Sequence, residues 1–177
     1  MSYTPPNLAT SLILALGLAL FSVSTALSSE PLRSEPLFKI ERSKNANIIQ
    51  YDAQIGPDGK LDAKKPVVAY WVRLAEEGQV RKLSWIQRTF AFGFHAEYDP
   101  DTDTAPMEMA VDIERTITVV RDGDVYRAKT FIDGAPAYLD RIYIMAHKHG
   151  LLITVEYVDI YGKDASTGDE RFEHFVP

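Results

Sequence analysis

From Phe38 onward, apolar and polar residues alternate in one short run after another, and turn-forming residues close each run. Nothing else in the chain restricts its fold as strongly. A period of two sends alternate side chains to opposite faces of an extended strand, so each run has one face to bury and one to leave in water. Met107, Met109, Val111 and Ile113 against Glu108, Ala110, Asp112 and Glu114 is the cleanest case. Phe38 and Ile40 alternate with Lys39 and Glu41, and Ile49, Tyr51, Ala53 and Ile55 with Gln50, Asp52 and Gln54. Those two arms, joined by a polar turn, predict a β-hairpin that sets the register of the strands after it. Phe94, Ala96 and Tyr98 follow the same rule. Asp122-Gly123 and Lys148-His149-Gly150 mark two further hairpins, and Arg171–Phe175 reads as a last edge strand.

Two segments depart from simple alternation. Val67–Leu74 is apolar on both faces, which predicts a central strand or one covered by another element. Residues 84–92 read as the one helix, with Ser84 as cap and Gly93 in the C′ position. At helical spacing Leu83, Ile86 and Phe90 form one stripe while Trp85 and Phe92 lie near the opposite side, so burial on more than one side is expected. The whole predicts a mainly β fold: an antiparallel sandwich or barrel of about nine or ten short hairpin-connected strands with one short helix. Residues 37–177 contain no repeat or linker and read as a single β-rich domain.

The N-terminal part has a different character. Leu12–Phe21 is a short uncharged apolar run, roughly half the length a membrane-spanning helix needs, followed by small residues. That pattern predicts a signal peptide over residues 1–28, cleaved after Ala26 or Ser28, although residues 2–11 lack the usual Lys or Arg. Residues 29–36 read as a polar lead-in. The expected setting is periplasmic or secreted, with no stable membrane span after cleavage.

The formal net charge is −6, and every charged residue lies at or after Glu30. A mildly acidic domain without a basic run is a poor electrostatic match for nucleic acid or anionic lipid, and both are set aside. The chain has no cysteine, which excludes disulfides, thiolate nucleophiles and Cys-ligated metal centres.

Candidate binding residues fall into two groups. Arg42, Asn45 and Asn47 occupy the turn of the first hairpin, and strict alternation puts Arg42 on the Phe38/Ile40 face. An Arg on an apolar face requires a carboxylate at the strand end or an anionic ligand. Asn and Ser in such a turn ordinarily bond their own backbone. Tyr70, Trp71, Trp85 and Arg88 bring large aromatics from a strand and the helix, as core or as the wall of a ligand cavity.

His95, His147, His149 and His174 have no metal-ligand spacing beyond one i, i+2 pair at a turn. Asp99, Asp101 and Asp103 begin like a calcium loop, but Thr104 and Ala110 stand where it needs Gly and Glu. No metal or cofactor is expected. Asp112 and Glu114 share a strand face and are the carboxylate pair an envelope hydrolase would use. Without a nucleophile or a cleft beside them, no catalytic residue is assigned.

Phe38-x-Ile40-x-Arg42-Ser43-x-Asn45-x-Asn47-x-x-x-Tyr51, then Pro66-Val-Val-Ala-Tyr70-Trp71, then Leu83-Ser84-Trp85-Ile86 with Ala91-Phe92-Gly93, resemble the family called domain of unknown function 4833 over about residues 37–162. Phe92 stands where that pattern has Tyr. The resemblance implies a single domain and an extracytoplasmic setting, and carries no activity. The function expected is a non-enzymatic exported protein binding a small or extended ligand. The alternatives are the envelope hydrolase and an interaction module that pairs with an envelope protein through a sheet edge.

Overall fold

Phe38 and Tyr51 stack across the first hairpin with ring centroids 4.4 Å apart and planes 8° from parallel. Both rings are buried, as alternation requires. They belong to β1 (Arg33–Arg42) and β2 (Asn45–Ile55) of a computed structural model that describes residues 31–43, 45–110, 115–149 and 152–177. The segment read as a signal peptide lies outside the described residues, as do Asp112 and Glu114. No helix among the described residues is long and apolar enough to cross a membrane.

The fold is mainly β, with eleven strands in one curled half-barrel sheet, one α-helix and one 3-10 turn. After the first hairpin come β3 (Val67–Arg73), β4 (Gln79–Lys82), the helix α1 (Trp85–Phe90), β5 (Phe94–Ala96) and β6 (Ala105–Met109). Then follow β7 (Ile117–Asp122), β8 (Val125–Ile132), β9 (Ala135–His149), β10 (Leu152–Asp164) and β11 (Glu170–Phe175). Apart from β4 and β5, which α1 separates, every consecutive pair is antiparallel.

Two meanders, β1–β4 and β5–β9, meet where β1 lies parallel to β9, Lys39–Arg42 beside Arg141–Ile144. This parallel junction departs from the all-antiparallel expectation. β10 lies on the other side of β9, and β11 on β10.

Three details differ from the sequence reading. The first strand begins at Arg33, so part of the presumed lead-in pairs with β2, and a register shift falls between Pro36 and Phe38. Proline cannot donate to the ladder, and an irregularity beside it accommodates that loss. The unexpected strand is β4: all four of its residues are exposed, so it has no apolar phase to detect. Glu77 and Gly78, both at positive φ (54° and 76°), turn the chain into it.

The third difference is α1. Only Trp85–Phe90 is helical; Leu83 and Phe92 lie outside it and are buried, whereas none of the helix's own residues is. The expected two-sided burial does not occur.

The core fills the inside of the curl. Ile49, Tyr51, Ile55, Met107, Ile117, Ile132, Ile142 and Ile160 are almost wholly removed from water. Each such side chain contributes about 1.5–3 kcal/mol. β8 shows the alternation at its clearest, with Tyr126, Ala128, Thr130 and Ile132 inside and Val125, Lys129 and Phe131 outside.

Candidate functional site

Arg42 ends β1 in the phase that Phe38 and Ile40 begin, which carries its side chain toward the apolar interior. There it meets rings. Its guanidinium carbon stands 4.7 Å from the centroid of Trp71 and 5.3 Å from that of Phe92. Trp71 comes from β3, and Phe92 from the loop after α1; their rings meet edge to face at 5.7 Å. A cation over aromatic faces gains about 0.5–2 kcal/mol, less than the cost of taking a charge out of water.

Among the described residues the half-buried Arg42 side chain has no carboxylate partner and makes no hydrogen bond, and its Nε is buried. Burial accordingly holds the Arg42 pKa below its ordinary value. The Nε1 of Trp71 and the Oδ1 of Asn47 are also buried without partners. Each unsatisfied buried polar group costs about 1–3 kcal/mol.

A cavity of about 350 Å3 opens here, lined by Arg42, Asn45, Asn47, Trp71, Arg73, Arg81, Lys82, Ser84 and Gln87. Four of these are cations and none is a carboxylate. Arg73 is paired with Glu76, and the Nε of Arg81 donates to Gln79 Oε1 at 2.9 Å. Lys82 has no ion pair among the described residues. Asn45 accepts the backbone N–H of Asn47 at 3.2 Å, the local turn bond expected of it. Ser43 instead bonds across to β9, donating to the Ala146 carbonyl and accepting from the Ala146 N–H, which ties the rim of the cavity to the parallel junction.

The residues singled out from sequence do not form one site. Arg42, Asn45, Asn47 and Trp71 line the cavity just described. Tyr70 and Arg88 line a second one, of about 670 Å3 and mostly apolar, between the edge of β3 (Val67–Ala69) and Phe92–Phe94. This is the seam at which the half-barrel stays open. Trp85 lines neither; its ring lies on the outside of α1, edge to face with Phe90 at 6.0 Å.

Alternation gave no sign of Asp52. It lies in the polar phase of β2 yet is 4% exposed. Its Oδ2 accepts the Tyr70 hydroxyl at 2.7 Å, and its Oδ1 is buried without a partner. Burial, with the Asp52 carboxylate second, pushes the Tyr70 hydroxyl up to about 12.

A third cavity, about 590 Å3, lies against β1, β8, β9 and the turn after β10. Its charges are largely matched within the protein. Arg127 pairs with Asp122 at 2.7 Å and stacks on Tyr138 at 5.4 Å. Asp164 accepts from Ser166, Thr167 and Arg171, and these bonds hold its carboxyl well below the usual range. The contrast singles out the Arg42 cavity, where Arg42, Arg81 and Lys82 have no ion pair among the described residues and only Arg73 is matched, by Glu76.

Among the described residues no group of three or more His, Asp or Glu side chains is arranged to hold an ion. His147 pairs with Glu156 at 2.6 Å and His174 with Asp159 at 2.7 Å. The Asp99 loop is closed by its own bonds, Asp101 N–H and Thr102 Oγ1 both donating to Asp99.

Compared with known proteins, residues 38–174 match the family model described as Domain of unknown function (DUF4833). No curated protein and no solved structure matches the chain.

Proposed function

The chain belongs to the DUF4833 family, and from that premise we propose that it is a non-enzymatic binding protein whose ligand is an anion held at Arg42. One observation carries the reading. The half-buried Arg42, its Nε buried without a partner, lays its guanidinium against two aromatic rings with no carboxylate among the described residues, in a cavity lined by further cations. A phosphate, sulfate or carboxylate oxygen would supply the missing counter-charge, and Arg is the side chain best shaped to hold one. The uncharged run Leu12–Phe21 with the small residues after it supports export, so the ligand is sought outside the cytoplasm.

Inorganic phosphate titrated into the full chain, followed by heat, tests the reading. Arg42→Met keeps the apolar stem against Trp71 and removes the charge. Saturable binding by the wild type and none by a folded Arg42→Met variant is the expected result. Silence from the wild type, with Arg42→Met strongly destabilised, would leave Arg42 as a purely structural residue.

A second reading is favoured by the open seam. β4 covers only Tyr70–Arg73 of β3, leaving Val67–Ala69 as a free edge. Lys65, Lys82 and Arg88 stand around it. An acidic extended peptide would add there as a strand. Ala69→Pro, which removes an edge donor, should then abolish capture of such a peptide; unchanged capture would dismiss the reading. The hydrolase alternative rests on Asp112 and Glu114, which lie outside the described residues.

A further inference from the structure

The helix α1 is amphipathic the wrong way round. At about 100° per residue, Trp85, Ile86 and Phe90 fall within a broad arc of about 140°, Trp85 at one margin, and Gln87 and Arg88 lie outside it. A surface helix ordinarily turns its apolar arc to the core. Here Gln87 lines the Arg42 cavity and Arg88 the seam, while Trp85, Ile86 and Phe90 are 66%, 64% and 69% exposed. Val80, on the neighbouring β4, is 62% exposed as well. An apolar patch of this kind marks an interaction surface.

Its charge surroundings say what it meets. From Gly78 to Ala96 the chain has no Asp or Glu, while Arg81, Lys82 and Arg88 stand among the exposed apolar residues. The net charge of −6, which argues against anionic surfaces for the chain as a whole, is therefore not carried by this segment; Glu76 and Glu77 precede it, and Glu76 is paired with Arg73. Cations beside Trp, Ile and Phe on a projecting helix are the composition of a segment that lies in the plane of a membrane interface. The helix also adjoins the cavity, since Ser84 and Gln87 line it.

We propose that α1 docks this protein on a bilayer containing anionic phospholipid, with Trp85, Ile86 and Phe90 entering the interface and a lipid phosphate entering the Arg42 cavity. The second half rests on the anion-binding reading above; the docking of α1 does not. The attachment is peripheral, through side chains rather than a span.

Co-sedimentation of the full chain with phosphatidylglycerol–phosphatidylcholine vesicles, and with pure phosphatidylcholine vesicles, tests this. The comparison is between the wild type and W85S/F90S, so the N-terminal apolar run contributes equally to both. The wild type should bind the anionic vesicles, and the double variant about tenfold more weakly or worse. Phosphate binding should be intact in the double variant, which shows both that it is folded and that the cavity acts independently. Equal vesicle binding by both proteins would overturn the proposal. So would equal binding to both vesicle types, or a wild-type dimer that the double variant loses in place of vesicle binding. If the double variant also fails to bind phosphate, Ile86→Glu replaces it: weakened vesicle binding supports the proposal, and unchanged vesicle binding overturns it. Wild type that binds phosphate but no vesicle removes the membrane and keeps the cavity; wild type that binds vesicles but no phosphate confines the contact to α1.

Discussion

Arg42 is where residue-level physics is most informative. A paired buried charge and an unpaired one respond oppositely to substitution. Breaking a buried ion pair costs about 3–5 kcal/mol, whereas replacing an uncompensated charge with an apolar side chain of similar length is neutral or stabilising. Arg42→Met should therefore leave the thermal midpoint unchanged or raised, as followed by circular dichroism. Tyr70 gives a second case. Tyr70→Phe removes the one side-chain hydrogen bond that the buried Asp52 carboxylate accepts among the described residues and should destabilise by about 1–3 kcal/mol at neutral pH. Because folding raises the Tyr70 hydroxyl to about 12, its contribution is fully present below the ordinary tyrosine range and is lost as pH rises through that value. Alkaline titration of the two proteins should show their stabilities converging; a constant gap up to that pH would contradict the pairing. Arg42 and Tyr70 were legible in the sequence as candidates, and Asp52 was not. The phase of Arg42 follows from counting by twos from Phe38, but Asp52 sits in the polar phase and is buried by a neighbouring strand that alternation does not describe.

At the scale of elements, the short helix shows where periodicity succeeds and where it fails. Ser84 was readable as a cap, and it forms a capping box with Gln87, whose N–H donates to Ser84 Oγ at 3.3 Å while its Oε1 accepts the Ser84 N–H at 2.8 Å. Which face would be buried was not readable. A count of apolar residues cannot separate a stripe packed inward from one turned outward, and both Leu83 and Phe92 pack from outside the helix. Gly93, read from the sequence as the C′ residue that closes α1, is needed for space. A Cβ there would lie 1.6 Å from the Arg88 carbonyl oxygen. Gly93→Ala must therefore push α1 away from the sheet and disturb the carbonyl of Phe92, which accepts the Tyr51 hydroxyl at 2.8 Å. Its cost should be about 3 kcal/mol, at the upper end of overpacking effects, and should appear as a lowered denaturant midpoint. A variant of unchanged stability would mean that α1 does not bear on the core through this turn.

For the molecule as a whole, hairpin order was legible because each turn announces itself locally. The meeting of the two meanders was not. Lys39 pairs with Arg141 and Arg42 with Ile144, partners about a hundred positions apart with no local signal to join them. That junction decides the site. It places the end of β1 beside β9, fixes Ser43 to Ala146, and leaves the Arg42 side chain facing β3 and the loop after α1. The same curl gathers Arg73, Arg81 and Lys82 around the cavity with Arg42, a local group of cations that the acidic net charge conceals. The proposed anion site at Arg42 is a consequence of that arrangement. The most direct measurement is calorimetric titration of inorganic phosphate into the full-length wild type and Arg42→Met side by side. Saturable binding to the wild type, with none to an equally stable Arg42→Met variant, is the predicted result; no binding to the wild type, or equal binding to both, would contradict it.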